Sequence, residues 1–382
     1  TILSVISLVS YVLTKVAVTV YAGGLVFQQV FGIKELWGID FFWIAAIGLV
    51  VLTALYTIFG GMKSVLYTSV LQTPILLLGS LIILVLGFKE LGGWDEMMRV
   101  CGAVTVNDYG DTMTNLIRSN DDANFPWLGA LIGSAIIGFW YWCTDQFIVQ
   151  RVLSGKNEKE ARRGTIFGAY LKLLPVFLFL IPGMIAFALH QKYIGAGGEG
   201  FLPMLANGTA NADAAFPTLV AKLLPAGVKG LVVCGILAAL MSSLASLFNS
   251  SAMLFTIDFY KRFRPETPEK KLVGIGQIAT VVIVILGILW IPIMRSVGDV
   301  LYTYLQDVQS VLAPGIAAAF LLGICWKRTS AQGGMWGLIA GMIIGLTRLG
   351  AKVYYSNAGE VADSTFKYLF YDMNWLFFCG WM

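Results

Sequence analysis

Apolar runs of about twenty residues recur along this chain from one end to the other, each long enough to cross a bilayer as a helix. Ten can be marked: 3–31, 41–60, 65–88, 126–150, 165–190, 228–260, 272–295, 299–325, 333–355 and 366–382. Lipid offers no hydrogen-bond partner, so the backbone of a spanning run must satisfy itself. Of 382 residues 58% are hydrophobic and only 13% charged, where soluble domains carry about 25% charged residues. The chain therefore reads as an all-α, multi-pass integral membrane protein.

Charge in the loops orients the runs. Residues 151–163 carry five basic side chains (Arg151, Lys156, Lys159, Arg162, Arg163) against two acidic ones, and 261–271 carries five more. Residues 89–125 hold seven acidic and three basic residues instead. Basic loops stay in the cytoplasm, which puts 61–64, 151–164, 261–271 and 326–332 inside, and 89–125 and 191–227 outside. The +4 net charge is this cytoplasmic excess and calls for no nucleic-acid partner. Cys101, Cys143, Cys234, Cys325 and Cys379 form no CxxC pair and no metal spacing with the single His190, so they read as packing residues. Asn207-Gly208-Thr209 is a glycosylation sequon in an outside loop. The chain starts at Thr1 inside one apolar run and stops at Met382 inside another, so a longer protein is expected.

The most informative stretch is Leu128 to Lys172, an apolar helix, a basic loop and the start of a second apolar helix. Its centre reads FWYWCTDQFIVQR, residues 139–151. Lys172 lies inside the next run, where an ionisable residue costs about 2.5–3.5 kcal/mol on insertion scales and by default marks a functional site; a snorkelling or paired lysine is the plainer alternative. Lys15 is near the centre of the first run. Asp145, one turn from Arg151, is expected to pair with it at the interface. Gln306 and Asp307 lie two turns into the eighth run beside Tyr302 and Tyr304, and amides beside aromatic rings suit a polyol or sugar. Breaks are expected at Gly60-Gly61, and at Pro314-Gly315 in mid-membrane. Ala239, Ser242 and Ser243 stand at i, i+3 and i+4, so one carbonyl and two hydroxyls share a helix face. Such oxygens suit a small hard cation such as sodium, or the small residues serve close helix packing.

Five segments carry a resemblance: TALYTIFGGMKSVLYTSVLQT (53–73), WYWCTDQFIVQRVLSGKN (140–157), YLKLLPVFLFLIPGMI (170–185), LMSSLASLFNSSAMLFTIDFYK (240–261) and LAPGIAAAFLLGICWKR (312–328). In this order they resemble the sodium–solute symporter family, and within it the sodium/glucose cotransporters and bacterial sodium/galactose transporters. The resemblance implies a LeuT-like core of two inverted repeats of five helices, with solute and sodium held at broken helices near the midplane. On that plan 1–125 is the remainder of the first repeat, 126–328 the complete second repeat, and 329–382 peripheral helices, with the first two core helices outside this chain.

Carried over by position, the resemblance implies that the Ala239 carbonyl and the Ser242 and Ser243 hydroxyls bind the co-transported sodium. It implies sugar contacts at Lys172 and Gln306, an inner gate at Tyr141 flanked by Trp142, and an outer-gate aromatic at Tyr302. Gly138 stands where relatives place Asn or Thr against the sugar. Ser69 and Ala245 replace an Asp and a hydroxyl that some relatives use for a second sodium, so one sodium per solute is expected. The function implied is sodium-driven symport of a monosaccharide such as glucose or galactose, with inositol, a sialic acid or a carboxylate as other solutes and solute sensing as another class. Enzymatic activity is not expected, since no Ser–His or metal constellation is visible.

Overall fold

The computed structural model describes residues 2–205, 208–297, 300–357 and 364–382, leaving the sequon's Asn207 outside the described residues. The chain is almost wholly helical, as apolar runs in lipid must be. In chain order the helices are α1 Ile2–Phe31, α2 Phe41–Leu91, α3 Trp94–Gly102, α4 Trp127–Thr144, α5 Gln146–Leu153, α6 Glu158–Gly195, α7 Ala215–Leu223, α8 Ala226–Phe263, α9 Glu269–Val297, α10 Leu301–Cys325, α11 Ala331–Asn357 and α12 Trp375–Trp381. Among the described residues two short strands form, β1 Glu35–Leu36 and β2 Ile39–Asp40, and they pair antiparallel with Glu35 opposite Asp40. The turn between them places Trp37 and Gly38 at φ 56° and 76°, the pair of positive φ angles that a two-residue type I′ hairpin demands. Asp40 then caps α2 by accepting from the Phe42 N–H at 2.9 Å.

Among the described residues eight helices are long and apolar enough to cross a membrane, and Phe41–Leu55 is a shorter apolar helix. The tenth expected run, 366–382, folds as short pieces, with Thr365–Lys367 and a π-turn at Tyr368–Asp372 ahead of α12. Two expected breaks are absent. The backbone of α2 is helical through Gly60-Gly61. Glycine costs a helix about 1 kcal/mol relative to alanine and does not by itself end the hydrogen-bond ladder. Likewise α10 runs unbroken through Pro314-Gly315. The glycine there serves packing, because a Cβ on Gly315 would stand 3.2 Å from the Gly341 Cα and one on Gly341 would stand 2.9 Å from the Gly315 Cα. A Cβ on Gly345 would collide with the Val311 carbonyl oxygen. Glycines one turn apart on α11 thus let α10 approach backbone to backbone, the small-xxx-small device of membrane helices.

Departures from regular helix occur elsewhere. Single π-turns interrupt α1 at Tyr11–Val16, α4 at Trp140–Thr144, α6 at Val176–Leu180 and α8 at Thr256–Tyr260. A π-turn re-aims the side chains around it and recurs at functional positions. Between α4 and α5 the helix breaks at Asp145, whose backbone is extended (φ −77°, ψ 120°).

The chain divides into two compact units, one of Thr1–Val18, Ile117–Gly155 and Ser250–Met382, the other of Thr19–Leu116 and Lys156–Asn249. The first unit packs Ile6, Ile137, Trp140, Ala313, Ile316, Trp375, Leu376 and Cys379 into a core. The second has a larger core that includes Ile83, Met97, Ile185, Leu189, Leu219 and Val232, drawn from α2, α3, α6, α7 and α8.

Candidate functional site

The hydroxyl-bearing face of α8 lies in the second unit. Ser242 is buried, while Ala239 and Ser243 are half-buried on the same helix face. The Ser242 and Ser69 hydroxyls stand 2.6 Å apart and share a hydrogen bond. Ser246 donates its hydroxyl to the Ser242 carbonyl at 3.0 Å, and Ala245 is fully buried. Of the two positions expected to differ from relatives with a second sodium, Ser69 is thus bonded to Ser242 and Ala245 carries only a methyl group. A cation placed at Ala239, Ser242 and Ser243 meets neutral dipoles only, which suits a monovalent ion better than a divalent one.

Lys172 also belongs to the second unit. It is exposed and forms the C-cap of the regular helical turns Glu158–Leu171, its N–H bonded to the Gly168 carbonyl at 3.0 Å. Pro175 and the π-turn Val176–Leu180 follow. Proline cannot supply the next backbone donor, which explains the irregularity at the lysine.

The other candidate residues lie in the first unit. Gln306 is half-buried, one turn along α10 from the exposed Tyr302. Tyr302 also lies 6.4 Å, centroid to centroid, from the Phe125 ring. Tyr141 is half-buried in the π-turn of α4, edge-on to Trp142 at 5.1 Å and to Trp140 at 6.2 Å, and Trp142 is exposed. Beside Gly138 a Cβ would meet nothing within 4 Å, so the missing side chain leaves open space.

Asp145 does not pair with Arg151 as its spacing suggests. It is buried, and it takes the ammonium of Lys15 across 130 residues of sequence. The Tyr11 hydroxyl donates to the same carboxylate at 2.7 Å. Both Asp145 Oδ1 and the Tyr11 oxygen accept from the Phe147 N–H at 3.1 Å, capping α5. The Lys15 ammonium lies 4.4–5.7 Å from the ring centroids of Phe147, Tyr11, Tyr141 and Trp140, all within cation–π range. The physical reason is burial. A carboxylate in the interior must recruit an opposite charge and hydrogen bonds, and α1 brings both, whereas the Arg151 guanidinium lies over the Phe147 ring at 5.4 Å.

A second cluster of charges, around one buried arginine, was not foreseen as a unit. Asp307 on α10 accepts from Lys352 at 2.6 Å and stands 3.5 Å from Arg348. Arg348 is fully buried, donates to the Met373 carbonyl at 2.7 Å and lies 4.1 Å over the Phe378 ring. The available signal was a pair of cations one turn apart in the apolar run GLIAGMIIGLTRLGAKV, residues 337–353.

The profile of the sodium:solute symporter family matches residues 1–341. The chain is 37% identical to sodium/myo-inositol cotransporter 2 of Homo sapiens over 359 residues, covering 91% of this chain and 52% of that protein. It is 37% identical to sodium/glucose cotransporter 4 of Mus musculus over 365 residues, 93% of this chain and 52% of that protein. It thus spans about half the length of the curated relatives it matches. A solved structure of a sodium-coupled sialic acid symporter, in its substrate-bound outward-open state, superposes with a TM-score of 0.68. At 21% identity, with 99% of this chain and 72% of that one covered, this likeness shows that the two share a fold.

Proposed function

The chain belongs to the sodium:solute symporter family, and on that premise we propose that the full protein is a sodium-coupled secondary transporter of a monosaccharide or related polyol. No covalent chemistry is involved. Sodium bound at one site raises the affinity for solute at another, and by linkage solute does the same for sodium. The multi-pass helical bundle supplies the bilayer-spanning frame, with 126–328 as one inverted repeat and 1–125 as part of the other.

Sodium is assigned to the Ala239 carbonyl and the Ser242 and Ser243 hydroxyls. The observation that carries this reading is the burial of Ser242 on the α8 face in a chain of this family. Hydrogen-bonding contacts to solute are assigned to Lys172 and Gln306, the inner gate to Tyr141 with Trp142 beside it, and the outer gate to Tyr302. One sodium per solute is favoured, because Ser69 supplies no carboxylate at the second position and Ala245 offers only a methyl group. Among solutes, myo-inositol is the second reading beside glucose and galactose. It is favoured by the relatives that carry that solute in their names.

Uptake into proteoliposomes holding the full-length protein, with D-glucose, D-galactose and myo-inositol in parallel, tests the proposal. An inward sodium gradient should drive accumulation of at least one of the three above its equilibrium level. Accumulation that is the same with potassium replacing sodium contradicts symport.

A further inference from the structure

The ion pair between Lys15 and Asp145 is outside the sodium and solute contacts assigned above, yet it lies beside the residue assigned as inner gate. We propose that Lys15, held by Asp145 and Tyr11, is a positioning residue that keeps the Tyr141 ring in its gating place. The inference rests on the reading of Tyr141 as a gate.

The geometry supports it from three directions. First, the Lys15 ammonium lies 4.9 Å from the Tyr141 ring centroid, so moving that ring away gives up a cation–π contact in a desolvated place where such contacts are strongest. Second, the ammonium has little freedom. Its side chain is 7% exposed, Asp145 holds it by charge and hydrogen bond, and Tyr11, Trp140 and Phe147 complete the surroundings. Third, Asp145 is the residue at which α4 ends and α5 begins, with extended backbone. Its carboxylate and the Tyr11 hydroxyl share the Phe147 N–H, so the same pair that fixes Lys15 also fixes the direction in which α5 leaves the gate. Both the lysine and the tyrosine sit in π-turns, Tyr11–Val16 and Trp140–Thr144, which pack differently from the helix on either side. A buried ion pair is weak evidence for stability, and its best-attested use is to select one arrangement among several. Here the arrangement selected is that of the gate.

The test is sodium-free efflux of radiolabelled myo-inositol and D-glucose from loaded proteoliposomes carrying the full-length protein. The double variant Lys15→Met/Asp145→Asn removes both charges and leaves neither stranded, while Asn retains a cap for Phe147. It should speed efflux at least fivefold and change the half-saturating solute concentration less than twofold, a split that a general loss of folding does not produce. Adding Tyr141→Ala to the double variant should give no further increase if Lys15 acts through Tyr141. Tyr11→Phe keeps the ring and both charges and loses only the hydroxyl. It should speed efflux two- to fivefold, and it decides the matter if the double variant fails to fold. Faster efflux from Tyr141→Ala with wild-type efflux from Tyr11→Phe and the double variant overturns the positioning role and leaves the gate intact. Wild-type efflux from Tyr141→Ala removes the gate itself, and the inference with it.

Discussion

Replacing Asp145 by Ala should destabilise the protein more than any other single neutral substitution near α4. The Lys15 and Asp145 side chains are 7% and 2% exposed, so deleting the carboxylate strands a desolvated ammonium, a change that costs about 3–5 kcal/mol. Four aromatic rings within 5.7 Å of that ammonium recover part of this, about 1–2 kcal/mol in total. The Phe147 N–H keeps the Tyr11 oxygen as acceptor, so little is lost from the cap. The net expectation is about 1–4 kcal/mol. Lys15→Met/Asp145→Asn should be far milder, within about 1 kcal/mol of wild type, because an ion pair replaced as a pair is often neutral. Equilibrium unfolding of the purified full-length protein by SDS in mixed micelles reads both values. The reasoning fails if Asp145→Ala costs less than the double variant, since the penalty then does not come from the stranded charge.

Gln306→Ala should weaken solute binding by about 1–3 kcal/mol, roughly 5- to 150-fold in dissociation constant, as measured by equilibrium binding in detergent. Ser243→Ala should abolish sodium-driven accumulation while the protein elutes and unfolds as wild type does, because one hydroxyl oxygen contributes little packing volume. Gly345→Ala should destabilise by about 1–3 kcal/mol, because its methyl meets the Val311 carbonyl oxygen on backbone that cannot yield. The same SDS titration measures it, and a gain in stability, as expected for an open helical glycine, contradicts the close α10–α11 crossing.

The fold class was legible from hydrophobic run length, since lipid admits few alternatives to helices for such runs. Local grammar misled at two glycine positions. Gly60-Gly61 and Pro314-Gly315 look like breaks, yet the helices continue, and Gly315 and Gly341 instead bring two backbones together. That use is readable only when both helices are paired. The real break, at Asp145, carries neither glycine nor proline at its centre. It is held by Lys15 and Tyr11, more than 120 residues away in sequence by the separations of 130 and 134. Depth in an apolar run marked Lys15, Asp145 and Asp307 as unusual, but the partner each chose is a property of tertiary packing. The shared face of Ala239, Ser242 and Ser243 was legible because i, i+3 and i+4 spacing is local, whereas the Ser69–Ser242 bond joins α2 to α8 and was not. Tyr11 stood out least, as one of 15 tyrosines in an aromatic-rich chain.

The central claim is that one sodium, bound through Ala239, Ser242 and Ser243, drives one solute molecule across the membrane. Its most direct test is the reversal potential of solute-dependent current or flux in proteoliposomes containing the full-length protein, with the solute gradient stepped at fixed sodium. A one-to-one ratio is predicted, and it should be lost together with all coupling in Ser243→Ala. A two-to-one ratio, or coupling that survives Ser243→Ala, contradicts the account.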